Sequence, residues 1–174
     1  MLEVGYEATT VRRVAELAGV SQGAQTHHFP RRVDLVGASV EWLAERRLLA
    51  LRDMAADLPV DPRRRLAALL DLIWTDFSSS TFEVFVKLWV AAADDPELYA
   101  RLVAVERRIA GAIAQLAERL SGDLQIADAE DKLNLVLAAQ RGLALTERFE
   151  PRSRRKRDPW PAVRQQLLGI FELG

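Results

Sequence analysis

The sequence predicts an all-α fold, and three of its features carry that prediction. Apolar residues recur at spacings of three and four along most of the chain, which is the period of an amphipathic helix. Asp-Pro pairs stand at 61–62, 95–96 and 158–159, where an N-cap side chain followed by proline marks the first turn of a helix. No segment alternates apolar and polar residues as a half-buried strand would. We therefore expect about eight helices, preceded by the stub of a first one.

The composition is that of a globular chain with a sizeable core. Of 174 residues, 49% are hydrophobic, and the formal net charge is −1, so the whole chain is not a basic nucleic-acid coat. The absence of cysteine excludes disulfides, thiol catalysis and cysteine-ligated metals. The start has no signal-peptide pattern, and the longest apolar run, 88–93, is far too short to span a bilayer. We therefore expect a cytoplasmic protein that does not act at a membrane.

The N-terminal stretch 9–32 predicts two short helices joined by a tight turn. Thr9 or Thr10 can accept a hydrogen bond from the free N–H groups that begin the first helix, and Gly19 stands where a left-handed C′ position favours glycine. Ser21 can cap the second helix, and Pro30 limits its length. Four residues mark the apolar face of the first helix: Val11, Val14, Ala15 and Ala18. This pattern predicts a helix-turn-helix, which lays its second helix in the DNA major groove.

The outward face of that second helix carries side chains suited to reading bases. Gln22, Gln25 and Thr26 lie on it, and glutamine pairs with the adenine edge while the threonine methyl can meet the thymine methyl. Arg31 and Arg32 begin the next helix, where a cation could reach a phosphate. Residues 1–34 nevertheless hold four arginines and four acidic residues, so their formal net charge is zero.

These residues closely resemble the DNA-binding domain of the tetracycline-repressor-like (TetR) family. The family pattern is Thr-Val, Ile-Ala, Ala-Gly-Val-Ser, a glycine, and His-Phe-Pro before a basic residue. In this chain it reads Thr10-Val11, Val14-Ala15, Ala18-Gly19-Val20-Ser21, Gly23, His28-Phe29-Pro30 and Arg32, with Gly5-Tyr6 in the preceding turn. The resemblance implies a DNA-binding domain over 1–34 and a helical ligand-binding and dimerisation domain over 35–174. It adds three residues to the expected DNA contacts, Thr10, Ser21 and His27, and it also places Arg32 among them.

The chain departs from the family pattern in three ways. It has Thr26 where the family commonly has a tyrosine that contacts the phosphate backbone, and Gln25 where leucine is frequent. The family's first helix is also reduced to residues 1–4. Two hypotheses follow. The first is a ligand-responsive homodimeric regulator, most often a repressor in the family, that binds a near-palindromic operator. The alternative is a ligand-binding helical dimer that no longer binds DNA because its first helix is absent.

Beyond the helix-turn-helix, the chain predicts one long helix and five further ones. Residues 33–57 contain no proline, and we expect Trp42 and Leu49 to be buried with the aliphatic residues of this helix. Its arginines are expected to form a solvated face: Arg46, Arg47 and Arg52. The further helices are expected from 61 to 78, from 80, from 95 to 122, from 128 to 149 and from 158 to 173. The basic stretch 151–158 is expected to be a surface connector.

Two sites are expected in the helical domain. Aromatic residues are densest between 74 and 89, and Gln140 interrupts an apolar stripe, so we expect a small, largely apolar ligand to bind among Trp74, Phe77, Phe82, Phe85, Trp89 and Gln140. The helix over 128–149 is apolar on two sides, which favours burial against a second subunit. With the last helix it would form a homodimer interface through Leu135, Ala138, Ala139, Gly142, Leu145, Phe149, Val163, Leu167 and Ile170.

Nothing in the sequence predicts catalysis. No Ser-His-Asp set, glycine-rich phosphate loop or paired-carboxylate motif is present. The only histidines, His27 and His28, are adjacent in sequence. Adjacent side chains on a helix point about 100° apart, so these two cannot coordinate the same metal ion. We therefore expect a non-enzymatic protein without a cofactor, whose partners are double-stranded DNA, a small ligand and a second copy of the chain.

Overall fold

The structure is a computed structural model that describes residues 10–19, 21, 23, 27–121, 126, 128–149 and 158–172. The described residues form seven α-helices and no strand, which confirms the all-α prediction. We label the helices in chain order as α1 (Val11–Ala18), α2 (Arg32–Ala56), α3 (Pro62–Phe77), α4 (Ser80–Ala92), α5 (Pro96–Ser121), α6 (Ala129–Phe149) and α7 (Trp160–Glu172).

The chain divides into two compact units. Unit 1 comprises Met1–Leu49 and Ser80–Ala110, and unit 2 comprises Ala50–Ser79 and Gly111–Gly174. Unit 1 therefore holds α1, α4, most of α2 and the first part of α5, whereas unit 2 holds α3, α6 and α7. The division predicted from the sequence, after residue 34, stays a prediction about function.

Each Asp-Pro pair begins a helix as the sequence predicts. Asp61 accepts a hydrogen bond from the Arg64 N–H at 2.8 Å, and Asp95 accepts one from the Leu98 N–H at 3.0 Å. Asp158 likewise accepts from the Trp160 N–H at 3.0 Å. These carboxylates satisfy N–H groups that have no partner inside the helix, and the prolines occupy positions where no N–H is needed.

In unit 1 the buried face of α2 includes an arginine, which corrects the sequence prediction. The aliphatic residues Val36, Val40 and Ala44 are fully buried, and Arg47 follows them on the same stripe with only 5% of its surface exposed. Its guanidinium carbon lies 5.7 Å from the ring centroid of Phe82 and 5.5 Å from that of Phe85. Arg47 therefore packs on aromatic faces rather than in solvent.

The same helix exposes two large apolar residues that we expected to be buried. Trp42 is 56% exposed and Leu49 is 55% exposed. The guanidinium of Arg46 lies 5.1 Å from the Trp42 ring centroid, so this surface tryptophan is partly covered by a cation on its own helix. The prediction of burial was wrong because α2 turns only one stripe inward.

In unit 2 the core joins α3, α6 and α7. Its buried members are Leu70, Val136, Trp160 and Leu167, and Trp74 packs on them with its ring stacked on Trp160 at a centroid distance of 4.9 Å and an interplanar angle of 7°. Asp71 fixes the start of α7 on α3. Its Oδ1 accepts from Trp160 Nε1 at 2.9 Å and from Arg164 Nε at 2.7 Å, while its Oδ2 accepts from Arg164 Nη2 at 2.9 Å.

Candidate DNA-binding and ligand-binding sites

The first helix of the predicted helix-turn-helix has the two ends that the sequence predicts. The Thr10 hydroxyl accepts a hydrogen bond from the Arg13 N–H at 3.2 Å, which caps α1. At the other end Gly19 adopts φ 67° and ψ 26°, and its N–H donates back to α1 carbonyls. This left-handed conformation suits glycine and ends the helix in a tight turn.

Only some of the residues predicted to contact DNA fall in the described part of the chain. Thr10, Ser21 and His27 are exposed, and Arg32 is half-buried at the first position of α2. The His27 and His28 rings contact edge to face at 5.5 Å. The three residues predicted to read bases lie outside the described residues: Gln22, Gln25 and Thr26.

Arg31 lies at the centre of a charged network inside unit 1. Its Nε and Nη2 donate to Asp34 Oδ2 and Oδ1 at 3.0 and 2.8 Å, and its Nη1 and Nη2 donate to Glu97 Oε2 and Oε1 at 3.1 and 2.9 Å. Arg101 Nη2 donates to Asp34 Oδ1 at 3.1 Å and to Glu97 Oε1 at 3.4 Å. The network therefore joins the residues at the start of α2 to the start of α5. All three guanidinium nitrogens of Arg31 donate to these two carboxylates.

Two further features support this network. A Cβ placed on Gly37 would lie 2.8 Å from Arg101 Cδ, so the glycine gives Arg101 room to cross α2 and reach Asp34. Hydrogen bonds from Arg31 hold the pKa of Asp34 below its usual range, and those to Asp34 and Glu97 raise the pKa of Arg31. Because the folded-state pKa of Asp34 is lowered, its stabilisation is complete above the usual carboxyl range and is lost as the pH falls through the lowered value.

Three of the predicted ligand-pocket residues lie in unit 2. Gln140 on α6 is fully buried, and its Nε2 donates to the Leu70 carbonyl at 3.3 Å. Trp74 is half-buried and stacks on Trp160. Phe77 is 1% exposed, and the guanidinium carbon of Arg141 lies 5.5 Å from its ring centroid. The structure thus brings a buried amide and aromatic rings into one helical unit.

The other three predicted pocket residues lie in unit 1. Phe82 and Phe85 are fully buried, and Trp89 is half-buried. The rings of Phe82 and Trp89 contact edge to face at 5.6 Å. Arg47, which the sequence assigned to a solvated face, packs on the rings of Phe82 and Phe85. Its spacing of three from Ala44 and seven from Val40 places it on the buried stripe of α2, and that spacing was the available signal.

The predicted dimer residues divide between a surface and a core. On α6, Leu135 is 54% exposed, Ala138 and Gly142 are exposed, and a Cβ placed on Gly142 would meet nothing within 4 Å. Leu145 is half-buried, and the Phe149 side chain lies outside what the structure describes. Three half-buried residues pack on the core of unit 2: Ala139, Val163 and Ile170. Leu167 is only 4% exposed, so it belongs to the core of its own chain and we remove it from the proposed interface.

The described residues contain neither a membrane-spanning helix nor a metal-binding cluster. No helix in that part of the chain is both long enough and apolar enough to cross a membrane. No cluster of three or more His, Asp or Glu side chains in the same residues could hold a metal ion.

A capped helix that ends in a left-handed glycine and is followed by a helical body is the arrangement found at the start of helix-turn-helix DNA-binding regulators. Comparison with known proteins gives the family. The family model of bacterial regulatory proteins, tetR family, matches residues 1–38. The transcriptional regulator CymR of Pseudomonas putida is 37% identical over 158 residues, which cover 85% of this chain and 77% of that protein. The chain therefore belongs to the tetR family and is a transcriptional regulator.

Solved structures show the same fold at lower sequence identity. Salmonella enterica GusR superposes with a TM-score of 0.70 at 18% identity, covering 98% of this chain and 88% of that one. A transcriptional regulator from Saccharomonospora viridis, solved in complex with choline, superposes with a TM-score of 0.64 at 18% identity, covering 99% and 90%. These likenesses extend the fold assignment beyond the helix-turn-helix to the helical body.

Proposed function

We propose that the chain acts as a homodimeric, ligand-responsive repressor that binds a near-palindromic operator. The observation that carries the proposal is the turn at Gly19, whose left-handed conformation ends α1 where a recognition helix must begin. Two copies related by a two-fold axis would present two such helices, so their target would have inverted half-sites. A ligand that binds one spacing of the two helices better than the other would shift the DNA affinity.

The proposal is tested by selecting duplexes from a random-sequence library with the purified full chain. We expect the bound sequences to converge on an inverted repeat whose half-sites lie about one helical turn apart. Recovery of single half-sites would contradict the dimeric mode of binding, and recovery of random sequence would contradict operator recognition.

The proposed contacts separate base reading from phosphate binding. Gln25→Ala is expected to cost about 1–3 kcal/mol on the selected duplex and little on random DNA, because it removes an adenine contact. Arg32→Ala is expected to weaken binding to both duplexes and to reduce the slope of log affinity against log salt by about 0.9. Fluorescence anisotropy over a salt series measures both effects. Equal losses on the two duplexes for Gln25→Ala would remove it from base readout.

The charged network predicts that Glu97 limits the availability of Arg31 to DNA. Glu97→Gln removes one of the two carboxylates that hold the Arg31 guanidinium. We expect a higher affinity for random duplex and a salt slope steeper by up to about 0.9, because Arg31 can then neutralise a phosphate. Asp94→Asn is the matched control, because Asp94 is exposed and lies three residues before Glu97. Equal gains in the two variants would show a general charge effect and no release of Arg31.

Two features support dimerisation and ligand binding. The exposed strip of Leu135, Ala138 and Gly142 gives α6 an apolar surface with room for a close helix contact, as a two-fold helical interface requires. In unit 2, the fully buried Gln140 places a polar group among aromatic and aliphatic residues, which is how small-molecule pockets are lined. The enclosed ligand would be small and largely apolar.

A further inference from the structure

Gln140 contains a buried acceptor that the protein does not satisfy. The side chain is fully buried on α6, and its Nε2 donates to the Leu70 carbonyl on α3 at 3.3 Å. Its Oε1 is inaccessible to solvent, and no donor in the described part of the chain lies within hydrogen-bonding distance of it. Buried amide oxygens almost always have a partner, because an unmade hydrogen bond in an apolar core leaves the desolvation penalty uncompensated.

The orientation of this amide is set by its neighbour. Reversing the side chain would point Oε1 at the Leu70 carbonyl and bring two acceptors together, so the Nε2 contact selects the observed orientation. Oε1 must then face away from Leu70. The orphaned acceptor is a consequence of the packing of α6 on α3.

Three donor groups of unit 2 are engaged elsewhere. Trp160 Nε1 and the Arg164 guanidinium donate to Asp71, and Arg148 Nη2 donates to the carbonyls of Ser78 and Ser79 at 3.3 and 2.8 Å. These three donor groups therefore cannot turn to Gln140 Oε1 without breaking an existing hydrogen bond. Among the described residues none donates to Oε1, so a bound molecule can supply the missing donor.

We propose that Gln140 Oε1 accepts the hydrogen bond of the regulator's ligand, and that the ligand is an apolar compound bearing a neutral O–H or N–H donor. The proposal rests on the proposed function and narrows its ligand class. A charged donor is disfavoured because one neutral amide cannot offset the burial of a full charge. Hydrocarbons and compounds with acceptors alone, such as ethers and esters, leave Oε1 unsatisfied. The stacked rings of Trp74 and Trp160 give the same unit a flat apolar wall.

The first test measures the stability of Gln140→Met without any ligand. Methionine has a similar length and adapts to irregular gaps, and it removes the orphaned acceptor together with one long hydrogen bond. We expect the thermal midpoint to stay within about 2 °C of wild type or to rise. Gln115→Met is the control, since Gln115 is exposed on α5. A fall in the midpoint well beyond that of the control would show that Oε1 is already satisfied, and the proposal would be overturned.

The second test uses probe pairs that differ only in donor ability. The pairs are phenol against fluorobenzene, benzyl alcohol against benzyl fluoride, and cyclohexanol against fluorocyclohexane, because fluorine replaces the hydroxyl at nearly constant size without donating. Binding to the full chain is followed by titration without DNA. We expect wild type to bind the hydroxyl member of at least one pair about fivefold more tightly, and Gln140→Met to bind both members equally. No preference in any pair, or a preference that survives in Gln140→Met, would overturn the proposal.

A separate DNA measurement keeps the two proposals distinguishable. If the hydroxyl probes bind through Gln140 but leave DNA affinity unchanged, the site stands and the ligand-responsive function fails. If fluorinated probes release DNA from wild type and Gln140→Met alike, the regulator stands and the role of Gln140 fails.

Discussion

Replacing Asp71 with asparagine is expected to detach the start of α7 from α3 and to lower the thermal midpoint by about 4–8 °C. Asparagine has the size of aspartate but lacks its charge, and it can no longer accept both from Trp160 Nε1 and from the two guanidinium nitrogens of Arg164. The buried Trp160 Nε1 then donates to a neutral acceptor in place of a charged one, which costs about 1–2 kcal/mol. The Arg164 pair adds little, because the Arg164 and Asp71 side chains are 26% and 44% exposed.

Calorimetry or circular dichroism on matched variants checks this expectation. Asp53→Asn is the control, since it removes the same charge from an exposed helical site in the same unit. Arg164→Lys is expected to give an intermediate loss, because lysine keeps the charge but cannot form the two-pronged contact. If Asp71→Asn and the Asp53→Asn control have the same thermal midpoint, the contact of Asp71 with Trp160 and Arg164 does not stabilise unit 2.

The order and starts of the helices could be predicted from the sequence because their signals are local. An aspartate that caps and a proline without an N–H act within one turn, so the starts at Asp61, Asp95 and Asp158 needed no knowledge of the tertiary structure. The end of α1 at Gly19 is local in the same sense, because left-handed backbone favours glycine wherever it occurs.

The failures concern side chains whose environment is set by distant residues. Arg47 was assigned to the solvated face by its charge, yet its long side chain packs on Phe82 and Phe85, some forty residues away. Trp42 was assigned to the core by its size, yet it is 56% exposed and is partly covered by Arg46 on the same helix. Charge and size describe a residue alone, whereas burial depends on which elements the fold brings together.

The candidate sites show the same division between local and distant information. The interrupted apolar stripe pointed to Gln140, because a polar residue at a buried helical position is visible from periodicity. The packing of α6 against α3 decides that Gln140 Nε2 donates to the Leu70 carbonyl and that Oε1 has no partner among the described residues. No local sequence pattern encodes that packing. The network around Arg31 likewise depends on Glu97, sixty-six residues away in sequence.

Replacing Gly142 with glutamate is expected to convert the proposed dimer to monomers without unfolding the chain. Gly142 is exposed on α6 beside Ala138 and Leu135, and a Cβ there meets nothing in its own chain. Glutamate has a better helix propensity than glycine, so the monomer should not be destabilised. Across a two-fold axis two carboxylates would meet in an apolar seam, which costs at least about 3 kcal/mol and weakens the dimer more than about a hundredfold.

Gly111→Glu provides the matched control, because Gly111 is also exposed within a helix of unit 2 with open space at its Cβ. Light scattering over a concentration series should show monomers for Gly142→Glu and dimers for wild type and Gly111→Glu, with equal helical content by circular dichroism. The monomer should also lose its preference for the inverted repeat, because two recognition helices bind tightly only when the interface holds them at one spacing. If Gly142→Glu dimerises with the wild-type dissociation constant, the interface lies on another surface. A charge buried at a two-fold axis would necessarily weaken the dimer.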